Sequence, residues 1–218
     1  MKVIPREVVK RKHAASWSKE IREMRHKLQL TSLQKSFLVG TILGDGCLTA
    51  NVGKKNFRLQ VEQSAKQKDY VWWKYQIFRE WVLMEPKFQP KNRSWRFRTI
   101  SHPDLNEFHQ LFYQGKKKIV PKNIGEILTD PFSLAVWFMD DGALGPKRKG
   151  STFNSQNFDF ADNQKLRNCL KANFGLETSL HKDKTSWRIY VLPKSITLLR
   201  TLIMDIVLPE MRYKFPFY

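Results

Sequence analysis

The sequence predicts an α+β fold built from two related halves, each reading helix, hairpin, helix, hairpin, helix. Three observations carry this. An apolar run that closes on Asp-Gly occurs twice, as FLVGTILGDG at 37–46 and SLAVWFMDDG at 133–142. Each is followed by stretches that alternate apolar and polar residues, the period of a strand with one buried face. Finally, Ser94-Trp95-Arg96 returns as Ser186-Trp187-Arg188, and Lys118 and Lys214 each stand 73 residues after the aspartate closing their motif. Two copies at so long a period are not a solenoid. They fit a pseudo-dimer within one chain, its halves related by a pseudo-twofold axis.

The bulk properties bound the function. At 218 residues the chain fits one large domain or two small ones. Hydrophobic residues at 41% and aromatics at 13% are ample for a folded core. A net charge of +19 and a pI near 10.0 point to a polyanionic partner, DNA or RNA. A generally basic, ribosomal-type protein is the alternative that charge leaves open. No long apolar run or lipidation motif calls for a membrane. Cys47 and Cys169 are too few for a disulfide framework or a zinc site, which points to a reducing compartment. The five histidines (His13, His26, His102, His109 and His181) lack metal-ligand spacing.

Taken in order, residues 1–30 form a basic extension with nine Lys/Arg against three Asp/Glu. Ile21, Met24 and Leu28 predict a helix over 18–30. It reads either as a solvated surface helix or as a basic arm along a nucleic-acid backbone. The first half spans 31–121, a linker 122–129, and the second half 130–218. Thr31 and Gln34 form a capping-box pattern at the start of the first motif helix. Gly40 in mid-helix costs about 1 kcal/mol relative to Ala, and a small residue there marks a close approach by another helix. Strands follow at 47–50 and 57–63; in the latter Phe57, Leu59 and Val61 face one way and Arg58, Gln60 and Glu62 the other. An aromatic-rich helix at 68–83 covers the core. A short strand between Pro86 and Pro90 pairs with 94–100, where Trp95 and Phe97 oppose Arg96 and Arg98. A helix at 103–113 and the lysine run at 116–118 end the half.

In the second half Asp130-Pro131 supplies an N-cap and a first-turn proline. A basic turn at 146–150 precedes a strand at 152–156. A helix at 161–174 is stopped by Gly175. Strands at 176–181 and 186–191, a helix at 195–206 and a proline- and aromatic-rich tail at 209–218 complete it.

The motif helices end against electrostatic preference. A helix C-terminus carries partial negative charge, so Asp45 and Asp141 are mildly unfavourable there. Gly46 and Gly142 are expected to stop the helices in the left-handed conformation. Two such aspartates, one per half, suggest a shared use: holding a divalent cation.

The stretches 38–46 (LVGTILGDG) and 134–142 (LAVWFMDDG) resemble the signature of the LAGLIDADG homing endonucleases in their single-chain, two-motif form, and the resemblance covers about residues 31–218. SLAVWFMDDG and LPEMRYKFP are most similar to the mitochondrial omega-intron subgroup. The resemblance implies that the two motif helices pack together through small residues as the domain interface. It also implies a four-stranded antiparallel sheet in each half, laid over the DNA major groove. Asp45 and Asp141 become the metal-binding catalytic acids, with Gly44 and Asp140 as secondary ligands; Asp140 stands where the family usually has a small residue. Gly40 is matched positionally by Val136, with Ala135 beside it.

The implied chemistry is phosphodiester hydrolysis in a double-strand break with short 3′ overhangs, in a long asymmetric or near-palindromic target. Two divalent metals about 3.5–4 Å apart can serve the nucleophile and the leaving group. Mg²⁺ suits a site of few carboxylates plus phosphate oxygens and waters. Two or three ions are expected, with Mn²⁺ substituting and Ca²⁺ binding without efficient cleavage. Lys118 and Lys214 are candidates for transition-state charge or the water network, against plain phosphate binding. Arg58, Gln60, Arg96, Arg98, Asn154, Arg188 and Tyr190 are candidate base readers. Gln63 and Gln156, near strand ends, are weaker ones. Lys54, Lys55, Lys147 and Arg148 at hairpin tips suit phosphates. The chain is expected to act on double-stranded DNA as a monomer, in an organelle (mitochondrion or chloroplast) or a prokaryotic cytoplasm. An intron-RNA maturase and a transcription regulator on the same scaffold are the competing readings, and retention of both acids favours the nuclease.

Overall fold

The computed structural model describes residues 19–216, apart from 52 and 54. Most of the basic extension and Lys54 therefore lie outside the described residues. Helix α1 is Lys19–Lys27 and α2, the first motif helix, is Ser32–Leu43. Then come β1 (Cys47–Ala50), β2 (Phe57–Ser64), α3 (Lys68–Ile77), β3 (Lys87–Gln89), β4 (Ser94–Arg98) and α4 (Asp104–Phe112). A small hairpin of β5 (Tyr113–Gln114) and β6 (Lys117–Lys118) leads to α5 (Ile124–Ile127). The second motif helix, α6, is Pro131–Asp141. It is followed by β7 (Gly142–Leu144), β8 (Ser151–Phe153), α7 (Phe160–Phe174), β9 (Thr178–Asp183), β10 (Ser186–Val191) and α8 (Ile196–Ile203).

The repeat is visible in topology. Each half has a four-stranded antiparallel sheet, ordered β1-β2-β4-β3 and β7-β8-β10-β9. The first sheet buries Leu59, Val61 and Phe97 beneath Tyr70, Val71 and Tyr75 of α3. The second buries Phe153, Ile189 and Val191, with Leu166, Leu170 and Phe174 contributed by α7. Alternation along the strands dictates both faces.

Helix starts follow the sequence signals. Thr31 Oγ1 accepts from Gln34 N at 3.2 Å while Gln34 Oε1 accepts from Thr31 N at 3.1 Å, a reciprocal capping box. Asp130 Oδ1 caps α6 by accepting from Ser133 N at 3.0 Å. Gly175 stops α7 at φ 66°.

Several expectations need correction. Gly142 is extended (φ −63°, ψ 143°) rather than left-handed. What demands glycine there is space: a Cβ would collide with Phe138 O and stand 2.7 Å from its ring. The helix expected over 68–83 breaks into α3 and a 3₁₀ turn at Arg79–Trp81. The strand expected over 152–156 ends at Phe153, because the buried Asn163 side chain donates to the carbonyls of Ser155, Phe158 and Asp159 and winds them into a turn. The presumed linker at 122–129 contains α5, with Ile124 and Leu128 buried. The tail contains a 3₁₀ helix, Pro209–Lys214, that buries Met211 and Lys214.

Contacts gather the described residues into two compact units. One holds residues up to Gln34 together with Gly46–Glu107; the other holds Lys35–Asp45 together with residues from Phe108 onward. The division cuts across the repeat: most of the first motif helix belongs with the second motif helix. The reason is Gly40. A Cβ on it would collide with Ser133 O and stand 2.8 Å from Val136 Cβ. With no Cβ at Gly40, the two apolar helices can touch at that point.

Candidate active site and nucleic-acid interface

The second unit carries both motif aspartates. Asp45 follows the end of α2, and Gly44 N still donates to Gly40 O at 3.1 Å. Asp141 is the last residue of α6. Asp141 O accepts from Asn154 N at 2.9 Å, which ties the acid to the chain leaving β8. Burial, then the negative charges of Asp45 and Asp140, push the Asp141 carboxyl up to about 8, with Lys118 and Lys214 partly opposing.

The two lysines sit at matching places. Lys118 Nζ donates to Gly44 O at 2.6 Å. Lys214 Nζ donates to Met139 O at 2.6 Å and Asp140 O at 3.0 Å. Each ammonium thus meets the orphan carbonyls and negative dipole at the C-terminus of one motif helix. The lysine run at 116–118 is placed by the β5–β6 hairpin, where Lys118 pairs with Tyr113. Lys214 is brought in by the C-terminal 3₁₀ helix and is only 4% exposed.

Asp140 is also buried. Its Oδ2 accepts from Thr41 Oγ1 at 2.9 Å and from Asp45 N at 3.2 Å. Gly44 lies against it: a Cβ on Gly44 would collide with Asp140 Cβ and stand 2.8 Å from Oδ2. Thr41 gave no signal in the sequence, because a mid-helix threonine on an apolar face is ordinary.

The donor set suits a hard cation. It presents carboxylates at a place where negative charge accumulates enough to raise one of them to about 8, and a divalent ion relieves that repulsion as a proton does. Among the described residues no three His, Cys, Asp or Glu side chains converge into a closed metal cluster.

The first sheet carries a basic, hydrogen-bonded outer face. Gln60 pairs with Arg98, and Arg98 Nε donates to Gln60 Oε1 at 2.7 Å. Arg58 Nε donates to Thr49 Oγ1 at 3.3 Å. Arg96 donates to Gln89 Oε1 at 3.1 Å and lies 3.7 Å from Glu62. Glu62 stays ionised: hydrogen bonds from Ser94 and Asn92, then Arg96 and Arg98, hold its carboxyl below the usual range. Partial burial, with Arg96 and Arg58 adding repulsion, lowers the Arg98 guanidinium. Such a network fixes guanidiniums in place before any ligand arrives. Arg25 of α1 joins Arg58, Lys87, Arg96 and Arg98 around a cleft of about 330 Å³. Helix α1 is docked there by buried Ile21 and a 3.0 Å bond between His102 Nε2 and Arg25 O.

Not every expected reader is on that face. Gln63 is 5% exposed and shares strand parity with Leu59 and Val61, so it points to the core side. In the second sheet Arg188 and Tyr190 share a face, but Tyr190 is buried, its hydroxyl donating to Lys149 O and its ring stacked on His181. It supports the 145–150 turn, whose tip residues Lys147 and Arg148 are exposed. Asn154 and Gln156 lie beyond β8, and Gln156 Nε2 donates to Asp183 Oδ2 at 3.0 Å. Lys55 is exposed in the β1–β2 turn. Glu62, expected on the polar side of its strand, and Lys87, not named from the sequence, belong to the first sheet's polar face by pairing register with Arg96.

Comparison with known proteins agrees with this geometry. The family described as LAGLIDADG DNA endonuclease matches residues 35–199. The "Probable intron-encoded endonuclease 1" of Wickerhamomyces canadensis is 30% identical over 200 residues, covering 86% of each chain. The cytochrome b mRNA maturase bI2 of Debaryomyces hansenii is 26% identical over 81% of this chain and 71% of its own. The solved structure of the homing endonuclease I-WcaI bound to its DNA recognition sequence shares 26% identity and a TM-score of 0.88, with 100% of both chains covered. The chain belongs to the LAGLIDADG DNA endonuclease family and is a DNA endonuclease of homing type.

Proposed function

We propose that this chain cuts both strands of a long, site-specific DNA duplex, with Asp45 and Asp141 as its catalytic acids. The observation that supports this most is the raised Asp141 carboxyl beside Asp45 and Asp140, flanked by Lys118 and Lys214. A family-typical divalent cation, Mg²⁺ here, would supply Lewis acidity toward the phosphate and a more acidic bound water. Asp45 and Asp141 would hold it. The other two expected donors serve differently, since Gly44 O takes the Lys118 ammonium and Asp140 Oδ2 takes two hydrogen bonds. Lys118 and Lys214 hold the helix ends and keep two positive charges beside the scissile region, where they favour the extra negative charge of the transition state. Mn²⁺ would replace Mg²⁺, and Ca²⁺ would allow binding with little cleavage.

Recognition falls to the sheets. Arg58, Gln60, Arg96 and Arg98, each hydrogen-bonded to a neighbour on the sheet, would read base edges by bidentate bonds. Arg188 is the corresponding cation of the second sheet. Lys55, Lys147 and Arg148 would contact phosphates, as would Arg25 from α1. One chain holding both acids needs no second copy, so it acts as a monomer. The intron-encoded relatives favour an organelle as its compartment.

The test is a supercoiled plasmid carrying a target selected by cleavage from a randomised library. Mg²⁺ should give linear product, and Asp45→Asn or Asp141→Asn should abolish it while leaving duplex binding in place. Absence of cleavage by the unsubstituted protein would sink the reading. The similarity to a cytochrome b mRNA maturase supports a second activity on intron RNA. Splicing of the host intron by the Asp141→Asn protein would establish it.

A further inference from the structure

We propose that Asp140 is a positioning residue for Asp45, acting by a hydrogen-bond clamp on the backbone and not as a ligand. This rests on the catalytic assignment of Asp45 above. The peptide group joining Gly44 to Asp45 is held at both ends by opposite charges. Its carbonyl accepts from Lys118 Nζ at 2.6 Å and its N–H donates to Asp140 Oδ2 at 3.2 Å. Had α2 continued, that N–H would have bonded the carbonyl four residues back. Instead the helix stops at Leu43, and a side chain from the other motif helix takes the donor.

The clamp is built in. Thr41 Oγ1 donates to the same oxygen at 2.9 Å, fixing the Asp140 rotamer. Asp140 is 7% exposed, and Gly44 leaves it the space that any Cβ would take. Among the described residues the other helix end shows no matching side-chain clamp. Asp141 is still within α6, so the helix itself sets its position, and the residue matching Asp140 is Gly44, which has no side chain.

A positioning residue, a metal ligand and a packing residue predict different outcomes. Asp140→Asn keeps an acceptor for both donors but loses the charge. Asp140→Ala loses the acceptor. Thr41→Val removes only the donor that fixes the rotamer. The readouts are single-turnover cleavage of the selected plasmid, Kd for the same duplex in Ca²⁺, thermal midpoint, and the Mg²⁺ concentration at half-maximal rate. We expect Asp140→Ala to slow cleavage by about 10²-fold, the scale of a misplaced reacting group. The Kd should stay within about twofold on that same argument that geometry, not binding, is lost. Asp140→Asn should recover most of the rate at an unchanged Mg²⁺ midpoint, and Thr41→Val should fall between. Nicked circles should accumulate with Asp140→Ala, because Asp45 loses its backbone clamp while Asp141 keeps its place in α6.

Equal loss in Asp140→Asn and Asp140→Ala with a raised Mg²⁺ midpoint would overturn the proposal in favour of ligation. Parallel loss of rate, binding and thermal midpoint would overturn it in favour of packing. Full activity in Asp140→Ala would also overturn it. Failure of the unsubstituted protein to cut would instead reject the nuclease reading on which the proposal rests.

Discussion

The two ends of the motif helices look like repeats in sequence and behave differently in structure. At the first, Asp45 is exposed, lies past the helix, and has its backbone gripped from outside by Asp140 and Lys118. At the second, Asp141 is within the helix and half-buried, and its carboxyl is raised to about 8. Lys118 is half-buried and holds one carbonyl, while Lys214 is buried and holds two. A duplicated motif thus supplies the same two charges per end but not the same electrostatics. The exposed acid is kept in place by hydrogen bonds, the half-buried one by the helix that carries it.

The largest effect should fall on both ends alike. Asp45→Asn and Asp141→Asn should each lower cleavage by at least about 10³-fold, the scale of losing a principal electrostatic element, with filter binding in Ca²⁺ retained. A variant that still cuts would break the equivalence of the two acids.

Stability against pH probes the Asp141 end. A carboxyl that binds its proton more tightly in the native state favours folding at low pH and loses that contribution as the proton leaves. For Asp141 the loss runs from pH near 4 up through about 8. In metal-free buffer, Asp141→Asn should therefore be more stable than the parent at pH 9, by on the order of 4 kcal/mol, and nearly equal to it at pH 4. Added Mg²⁺ should flatten the parent's slope. Urea titrations across pH measure it; identical slopes for parent and Asp141→Asn would remove the asymmetry.

The lysines sharpen the comparison further. Lys214→Met leaves two buried carbonyls without their donor and should cost about 3 kcal/mol, against about 1 kcal/mol for Lys118→Met at its half-exposed site. Equal urea midpoints for the two would contradict the burial difference. Smallest is Gly40→Ala, where the new methyl meets Ser133 O and Val136. Forcing the helices apart should cost about 2 kcal/mol, read as a lower thermal midpoint. Pairing it with Val136→Ala tests whether relief at the facing position restores part of the loss.

Much of this was legible beforehand, for identifiable reasons. The capping box at Thr31 and Gln34, the Asp130 cap, the Gly175 stop and the alternation of β2 and β4 are local rules, and each forms as written. The repeat led to Lys118 and Lys214 by their equal spacing. Local rules failed where a distant group intervened. Asn163 ended β8 early, leaving Asn154 and Gln156 off the sheet. Parity placed Gln63 with the core although its polarity suggested a reader. Tyr190, on the correct face, was covered by the 145–150 turn.

The sequence by itself determined most of the elements, the twofold repeat, the two motif-closing aspartates and the net positive charge, because periodicity, caps and charge are properties of neighbouring residues. Tertiary structure alone decided the surroundings of each aspartate. That Gly40 lets one helix meet the other, that Asp140 reaches the Asp45 amide, and that Asp141 titrates near 8 all depend on residues about a hundred positions apart. Burial and Coulomb interaction act through distance in space, and no local pattern encodes that distance.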